Sequence, residues 1–144
     1  MYNSILVPVD MAENGFSNKA ILHARGVLAV GGKLHFLRAI PGYQMPLVGS
    51  FFPKDAFDKV VKEAEKKLAE YVKLQLGDDP VDYAMYTLEG KPADLILKSA
   101  EKLQVDLIVM ASHKHSRIEN TVLGSIASKI AGRSKQPVMV IKSD

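Results

Sequence analysis

The chain contains no cysteine and no tryptophan among its 144 residues. Without cysteine, a thiol nucleophile, a thiolate zinc site, an iron–sulfur cluster and disulfide staples are all excluded. No apolar run approaches the roughly 20 residues that span a bilayer, so no membrane association is expected. The start, Met1-Tyr2-Asn3-Ser4, has no basic stretch before its short apolar run and no small-residue cleavage site. It reads as no signal peptide, and the expected location is cytoplasmic. No G-x-G occurs, so the dinucleotide fingerprint is absent. Lys33 after Gly32 and Lys91 after Gly90 are not Walker loops. Val27 and Met85 stand where the first glycine belongs, and Leu34 and Pro92 stand where Ser or Thr belongs. There is no G-x-S-x-G elbow. His113 and His115 have no third ligand near them in sequence, which argues against a metal site. His23 and His35 fall within a helical and a strand pattern, as structural or solvent-facing residues.

The length fits one domain, residues 1–144, able to remove roughly 68–70% of its extended-chain surface from water without staples. The 19 Lys and Arg against 16 Asp and Glu give +3, too mild for a dedicated nucleic-acid binder. The excess is local. Between His113 and Lys135 stand Lys114, Arg117, Lys129, Arg133 and Lys135 against Glu119 alone. This stretch is either a solvated face or an anion site, most naturally for phosphate.

Ile5-Leu6-Val7-Pro8-Val9, Leu107-Ile108-Val109-Met110 and Val138-Met139-Val140-Ile141 are unalternating apolar runs, the pattern of strands buried on both faces of a parallel sheet. Leu34 to Ile40 and Val81 to Tyr86 alternate partly and predict two strands toward one side of the sheet. Between them, apolar residues recur at helical spacing. The first helix is predicted to follow an N-cap at Ser17, carry Ala20, Ile21, Ala24, Val27 and Leu28, and end at Gly31-Gly32. A longer one carries Phe57, Val60, Val61, Ala64, Leu68, Tyr71 and Val72. A third opens at Pro92 with Ala93, Ile96, Leu97, Ala100 and Leu103. The fourth runs from about Gly124 to Gly132 with Ile126, Ala127, Ile130 and Ala131 inward. Strict β-α alternation predicts an α/β fold, a parallel sheet with helices on both faces. The segment Pro41 to Pro53, with three prolines and Phe51-Phe52, is long for a connection and reads as a mobile segment or a lid.

Ligands of such sheets bind at the carboxyl ends of the strands, where strand order reverses. That directs attention to Asp10–Phe16, Pro41–Pro53 and Ala111–Leu123. Asp10, at a strand tip, suits a ribose hydroxyl or a phosphate-bridging Mg²⁺, or else caps the following turn. Gly124-Ser125 at a helix start offers backbone N–H groups, a hydroxyl and the positive end of a helix dipole, a phosphate cradle or a plain N-cap.

The opening I-L-V-P-V-D, the segment D-L-I-V-M-A-S-H, the run L-G-S before a small-residue helix and the ending Q-P-V-M-V-I-K together resemble the universal stress proteins, in order, from Ser4 to Lys142. The resemblance implies an open five-stranded parallel sheet of order 3-2-1-4-5 with four helices on both faces, Rossmann-like and of the adenine nucleotide alpha hydrolase-like type. It also implies a homodimer through the last strand, Val138, Met139, Val140 and Ile141. The nucleotide-binding pattern of the family is G-x2-G-x9-G-[ST]. Here Ala111 and Lys114 replace the first two glycines, while Gly124 and Ser125 keep the third and the hydroxyl. A branch with A-S-H or G-S-R at this place and L-G-S retained is the most similar. The implied cofactor is ATP or ADP, with Mg²⁺ held through the nucleotide near Asp10. Pro8, Val9 and Asp10 would line it, Ala39 would meet adenine through its backbone, and Met110 and Ala111 would flank base and ribose. Ser112 and Lys114 would lie along the loop, and Gly124, Ser125 and Ile126 would cradle the phosphates. The implied role is a nucleotide-dependent stress-response sensor or adaptor with an unknown protein partner. The alternative is a dimeric interaction module that binds no nucleotide. Enzyme activity would extend at most to slow ATP hydrolysis or autophosphorylation, since Asp10 is the one candidate base.

Overall fold

Two of the three apolar runs become inner strands, whereas the third, Val138–Ile141, expected to be buried on both faces, lies half-buried at the edge of the sheet. The structure is a computed structural model and describes residues 1–12, 15–40, 54–113 and 124–143. These form β1 (Tyr2–Pro8), α1 (Asn18–Val27), β2 (Leu28–Ile40), α2 (Lys54–Leu76), β3 (Asp82–Glu89), α3 (Pro92–Lys102), β4 (Leu107–His113), α4 (Ser125–Arg133) and β5 (Val138–Ser143). All pairings are parallel, and the sheet order is β3-β2-β1-β4-β5, the predicted one. The segment Pro41–Pro53, read as a lid, lies outside the described residues.

The two faces have separate cores. On one, Ile5, Val7, Leu34, Phe36, Leu107 and Val109 meet Ala20, Ile21 and Ala24 of α1 and Leu68, Val72 and Leu76 of α2. On the other, Leu6, Leu37, Ile108 and Met110 meet Ala93, Ile96 and Ala100 of α3 and Ala127 and Ile130 of α4. Successive residues of each strand point to opposite faces, so an unbroken apolar run feeds both cores at once. Asp106, just before β4, ties the two halves of the sheet. Its carboxylate oxygens accept the N–H groups of Asn3 and Ser4, each at 3.0 Å, and its own N–H donates to the Ser4 carbonyl at 2.8 Å.

Several expectations are corrected. The first helix ends at Val27, not at Gly31-Gly32, because Leu28 is already extended (φ −74°, ψ 132°) and begins β2. The glycine pair instead serves a β-bulge. Tyr2 faces Leu28 but Ser4 faces Lys33, so extra residues of β2 must be looped out between these pairs. Gly31 takes the left-handed φ of +81°, and a Cβ on Gly32 would sit 2.9 Å from the carbonyl oxygens of both Ala29 and Asn3. Ser17 gives no side-chain cap to α1; its hydroxyl oxygen accepts the Asp10 N–H instead, at 3.1 Å. Val60 in α2 and Ala131 in α4 are exposed rather than inward, as is Ile126, which faces the cavity described below.

His35 is the buried polar residue of β2. Its Nδ1 shares a 2.9 Å hydrogen bond with the Tyr86 hydroxyl, and the two rings stack at 5.8 Å. Burial pushes the imidazole below its ordinary 6.5, Lys33 pushes the same way and Asp82 opposes. Because the folded value is the lower one, the unfolded chain binds more protons below pH 6.5. The stability that neutral His35 contributes is therefore complete above that pH and is lost as pH falls through the folded value. Urea titrations at pH 7.5 and 5.5 should show a smaller acid loss in His35→Leu than in the parent chain. Equal losses would remove His35 as the cause.

Candidate functional site

In a parallel ladder, alternate residues direct their N–H and C=O groups to opposite neighbours. Just past β1, Val9 N–H donates to the Leu37 carbonyl of β2 at 2.8 Å, while within β1 the Ser4 carbonyl accepts from Asp106 on the β4 side at 2.8 Å. Even-numbered positions, Ser4, Leu6 and Pro8, thus face β4, and the last of them has no N–H to give. The β1–β4 register runs through Ile5–Leu107 and Leu6–Ile108, just before that proline. There the strands part, at the point where strand order reverses, and a cavity of about 380 Å³ opens across the carboxyl ends.

Pro8, Val9, Asp10, Ala39, Met110, Ala111, Ser112, Gly124, Ser125 and Ile126 all line this cavity. The structure thus brings together every described residue that the sequence nominated. Lys114 lies outside the described residues, as do His115 and Arg117. The remaining cations of the basic stretch, Lys129, Arg133 and Lys135, are exposed and are not among the cavity residues; Lys135 Nζ is 3.7 Å from Glu101 Oε1. For these three, the solvated-face reading applies.

The walls also include residues that sequence reasoning missed, among them Phe16, Leu37, Arg38, Ile40, Pro92 and Ile96. Arg38 follows Leu37, and Leu37 pairs with Pro8 in the sheet. Its nomination needed only that register, which the sequence does not state. Arg38 Nη1 donates to the Ala64 carbonyl of α2 at 3.1 Å. Burial lowers the guanidinium from its ordinary value, and the negative charge of Asp10 opposes that effect.

Two backbone features shape the polar end. Gly124 is the N-cap of α4, with extended φ −66° and ψ 163°, and brings no side-chain cap to the first-turn N–H groups. Its own N–H donates to the buried Ser112 Oγ at 2.9 Å, a bond across twelve residues of chain. At the other side, Asp10 Oδ1 accepts the Ala12 N–H at 2.9 Å. The carboxylate therefore closes the turn after β1 and lines the cavity as well, so the two readings of Asp10 coexist.

Apolar walls with an uncapped helix start, two hydroxyls and one carboxylate suit a ligand that is flat and apolar at one end and anionic at the other. Among the described residues no group of three His, Asp or Glu could hold a metal, so a Mg²⁺ here would be held through the ligand's own phosphates. No described helix is long and apolar enough to cross a membrane.

Residues 1–142 match the Universal stress protein family. This chain is a member of that family. Universal stress protein G of Escherichia coli O157:H7 is 32% identical to it over 145 residues, covering 99% of this chain and all of that protein. The solved structure of the hypothetical protein MJ0577 matches with a TM-score of 0.79 and 28% identity, over 100% of this chain and 98% of that one. A universal stress protein family protein from Arabidopsis thaliana, solved with AMP bound, matches at TM-score 0.66 and 15% identity over 99% and 92%, a likeness of fold alone.

The Ser112–Gly124 bond anchors the start of α4 to the end of β4 in this universal stress protein. Ser112→Ala leaves the Gly124 N–H without its acceptor, which should cost about 1 kcal/mol and speed hydrogen exchange at that amide. Unchanged exchange would mean that α4 is held from elsewhere.

Proposed function

We propose that this universal stress protein binds ATP or ADP in the cavity between β1 and β4 and acts as a nucleotide-dependent sensor or adaptor. What supports it is that the ten described residues nominated from the family pattern line one cavity, with apolar strand ends at one side and the start of α4 at the other. AMP bound in the Arabidopsis protein of the same fold supports the adenine nucleotide class. In this reading the whole chain, residues 1–144, works as one domain. Ala39 meets the base through its backbone, which parallel alternation turns toward β1, beyond the rung from Val9 to Leu37. Met110 and Ala111 flank the base and ribose. The phosphates sit against the N–H groups of Ser125 and Ile126 and the Ser125 hydroxyl, where the helix dipole favours an anion. Asp10 accepts from the ribose or approaches a nucleotide-held Mg²⁺. Because Ser112 occupies the Gly124 N–H, the cradle rests on the amides that follow it.

Isothermal titration of nucleotide-stripped protein with ATP and Mg²⁺ tests this, with Gly124→Asp as control. Aspartate is a favoured N-cap, so the helix is retained while its carboxylate repels phosphate. Binding in the parent chain that weakens at least tenfold in the variant is the expected result. Equal affinities would remove the site assignment, and no binding in either would favour the second reading. That reading, an interaction module without nucleotide, draws on Ala111 and Lys114 in place of glycine.

The same proposal includes a homodimer through β5. Val138, Met139, Val140 and Ile141 are half-buried on a strand at the edge of the sheet, an arrangement that invites pairing with a second copy. Val140→Lys should elute as a monomer from a sizing column; a dimer that persists places the interface elsewhere.

A further inference from the structure

Helix α2 runs for 23 residues, about 34 Å, whereas the eight rungs that β2 shares with β3 span about 26 Å. Its buried side chains fall into two sets. Leu68, Val72 and Leu76 enter the core against the strands. Phe57 and Ala64, with Val61 partly buried beside them, pack instead on Ile40, the last residue of β2, in a small cluster separate from both main cores. The first half of α2, residues 54–67, is thus held at the carboxyl end of the sheet by one small cluster, and a segment held in this way opens at a lower cost than the whole chain. No proline or glycine interrupts α2, so loosening there proceeds as fraying from its start rather than as a kink. The grip on this half comes from the cavity wall. Arg38 and Ile40 stand two apart on β2, so both side chains leave the sheet on the same face, toward α2. Ile40 is buried in the cluster, and Arg38 Nη1 donates to the Ala64 carbonyl at 3.1 Å. Both residues also line the cavity, whereas no residue of α2 does.

We propose that the order of this first half of α2 reports whether the cavity is filled. Nucleotide binds only while Arg38 and Ile40 stand in the wall and grip Ala64, Phe57 and Val61, so each opening of residues 54–67 excludes it. The inference rests on the nucleotide reading above and adds to it the element through which occupancy is transmitted. A ligand with equal affinity for both arrangements shifts nothing. One confined to the closed arrangement suppresses opening by mass action, roughly 100-fold at about 100 times its Kd. Linkage is reciprocal, so loosening the same half weakens nucleotide binding in proportion to the fraction that stays closed.

Amide hydrogen exchange in the parent chain, without nucleotide and with ATP and Mg²⁺ at about 100 times the Kd, tests this. Without nucleotide, the amides of residues 58–67 should exchange faster than those of residues 69–76, and nucleotide should slow the first group roughly 100-fold. Phe57→Ala, a change outside the cavity that removes the largest side chain packed on Ile40, should speed exchange at residues 58–67 and raise the Kd for ATP severalfold. Val61→Ala, a milder truncation in the same cluster, should move both quantities the same way by less, and it carries the comparison if Phe57→Ala fails to fold. Arg38→Met, measured at the same multiple of its own Kd, should show a smaller slowing. Equal exchange in the two halves without nucleotide, or nucleotide that binds without slowing exchange at residues 58–67, would overturn the coupling. So would cluster variants that speed exchange and leave the Kd unchanged. An undiminished slowing in Arg38→Met would overturn the part given to Arg38. A parent chain that binds no nucleotide would take down the nucleotide reading itself, and this inference with it.

Discussion

A missing hydrogen-bond donor shapes the working end of this molecule. At even positions of β1 the backbone faces β4, and at position 8 the residue is proline. A residue with an N–H there could extend the ladder beyond Leu6–Ile108 and narrow the gap between the strands. With proline, β1 stays bound to β2 through Val9 and Leu37 and lets β4 go. The sheet separates at its centre without losing an edge strand, and the cavity inherits walls from both cores. Asp106 holds β1 and β4 together at the opposite end through the Asn3 and Ser4 amides, so the parting is confined to the carboxyl ends.

Much of this was legible from the sequence, for physical reasons that differ by element. Strands buried on both faces need continuous apolar runs, which located β1 and β4; the same kind of run located β5 but misplaced it, since β5 is a half-buried edge strand. Strand order and the site residues came from the family pattern, since periodicity carries no information about which strands are neighbours. The boundary between α1 and β2 was misplaced because glycine has two uses, ending helices and filling bulges. Which use applies at Gly31 and Gly32 depends on Asn3, a residue far away in the chain. Ser17 was misassigned for a similar reason, as its hydroxyl serves Asp10 across the turn rather than its own helix. Arg38 was invisible as a site residue because a cation between Leu37 and Ala39 looks like an exposed strand position until its register with Pro8 is known.

The two departures from the family's glycine pattern have different weights. Ala111 is buried at the end of β4 and lines the cavity, where a methyl group adds apolar wall. Lys114 lies outside the described residues. What remains of the pattern, Gly124 and Ser125, is tied back to the sheet by Ser112. A bare N-cap held in place by a buried hydroxyl keeps the first turn of α4 aimed at the cavity even with half the glycines replaced. In the proposed reading, anion binding thus depends on how α4 is anchored more than on loop glycines.

In the proposed reading an adenine nucleotide sits where β1 and β4 part. Backbone amide shifts in ¹H–¹⁵N spectra during titration with ATP and Mg²⁺ test it directly. A nucleotide in this cavity should shift Val9, Ala39, Ala111, Ser125 and Ile126 and leave the amides of Asn3 and Ser4 at the closed end of the sheet unmoved. Shifts absent from the first group, or strongest at the closed end or along β5, would contradict it.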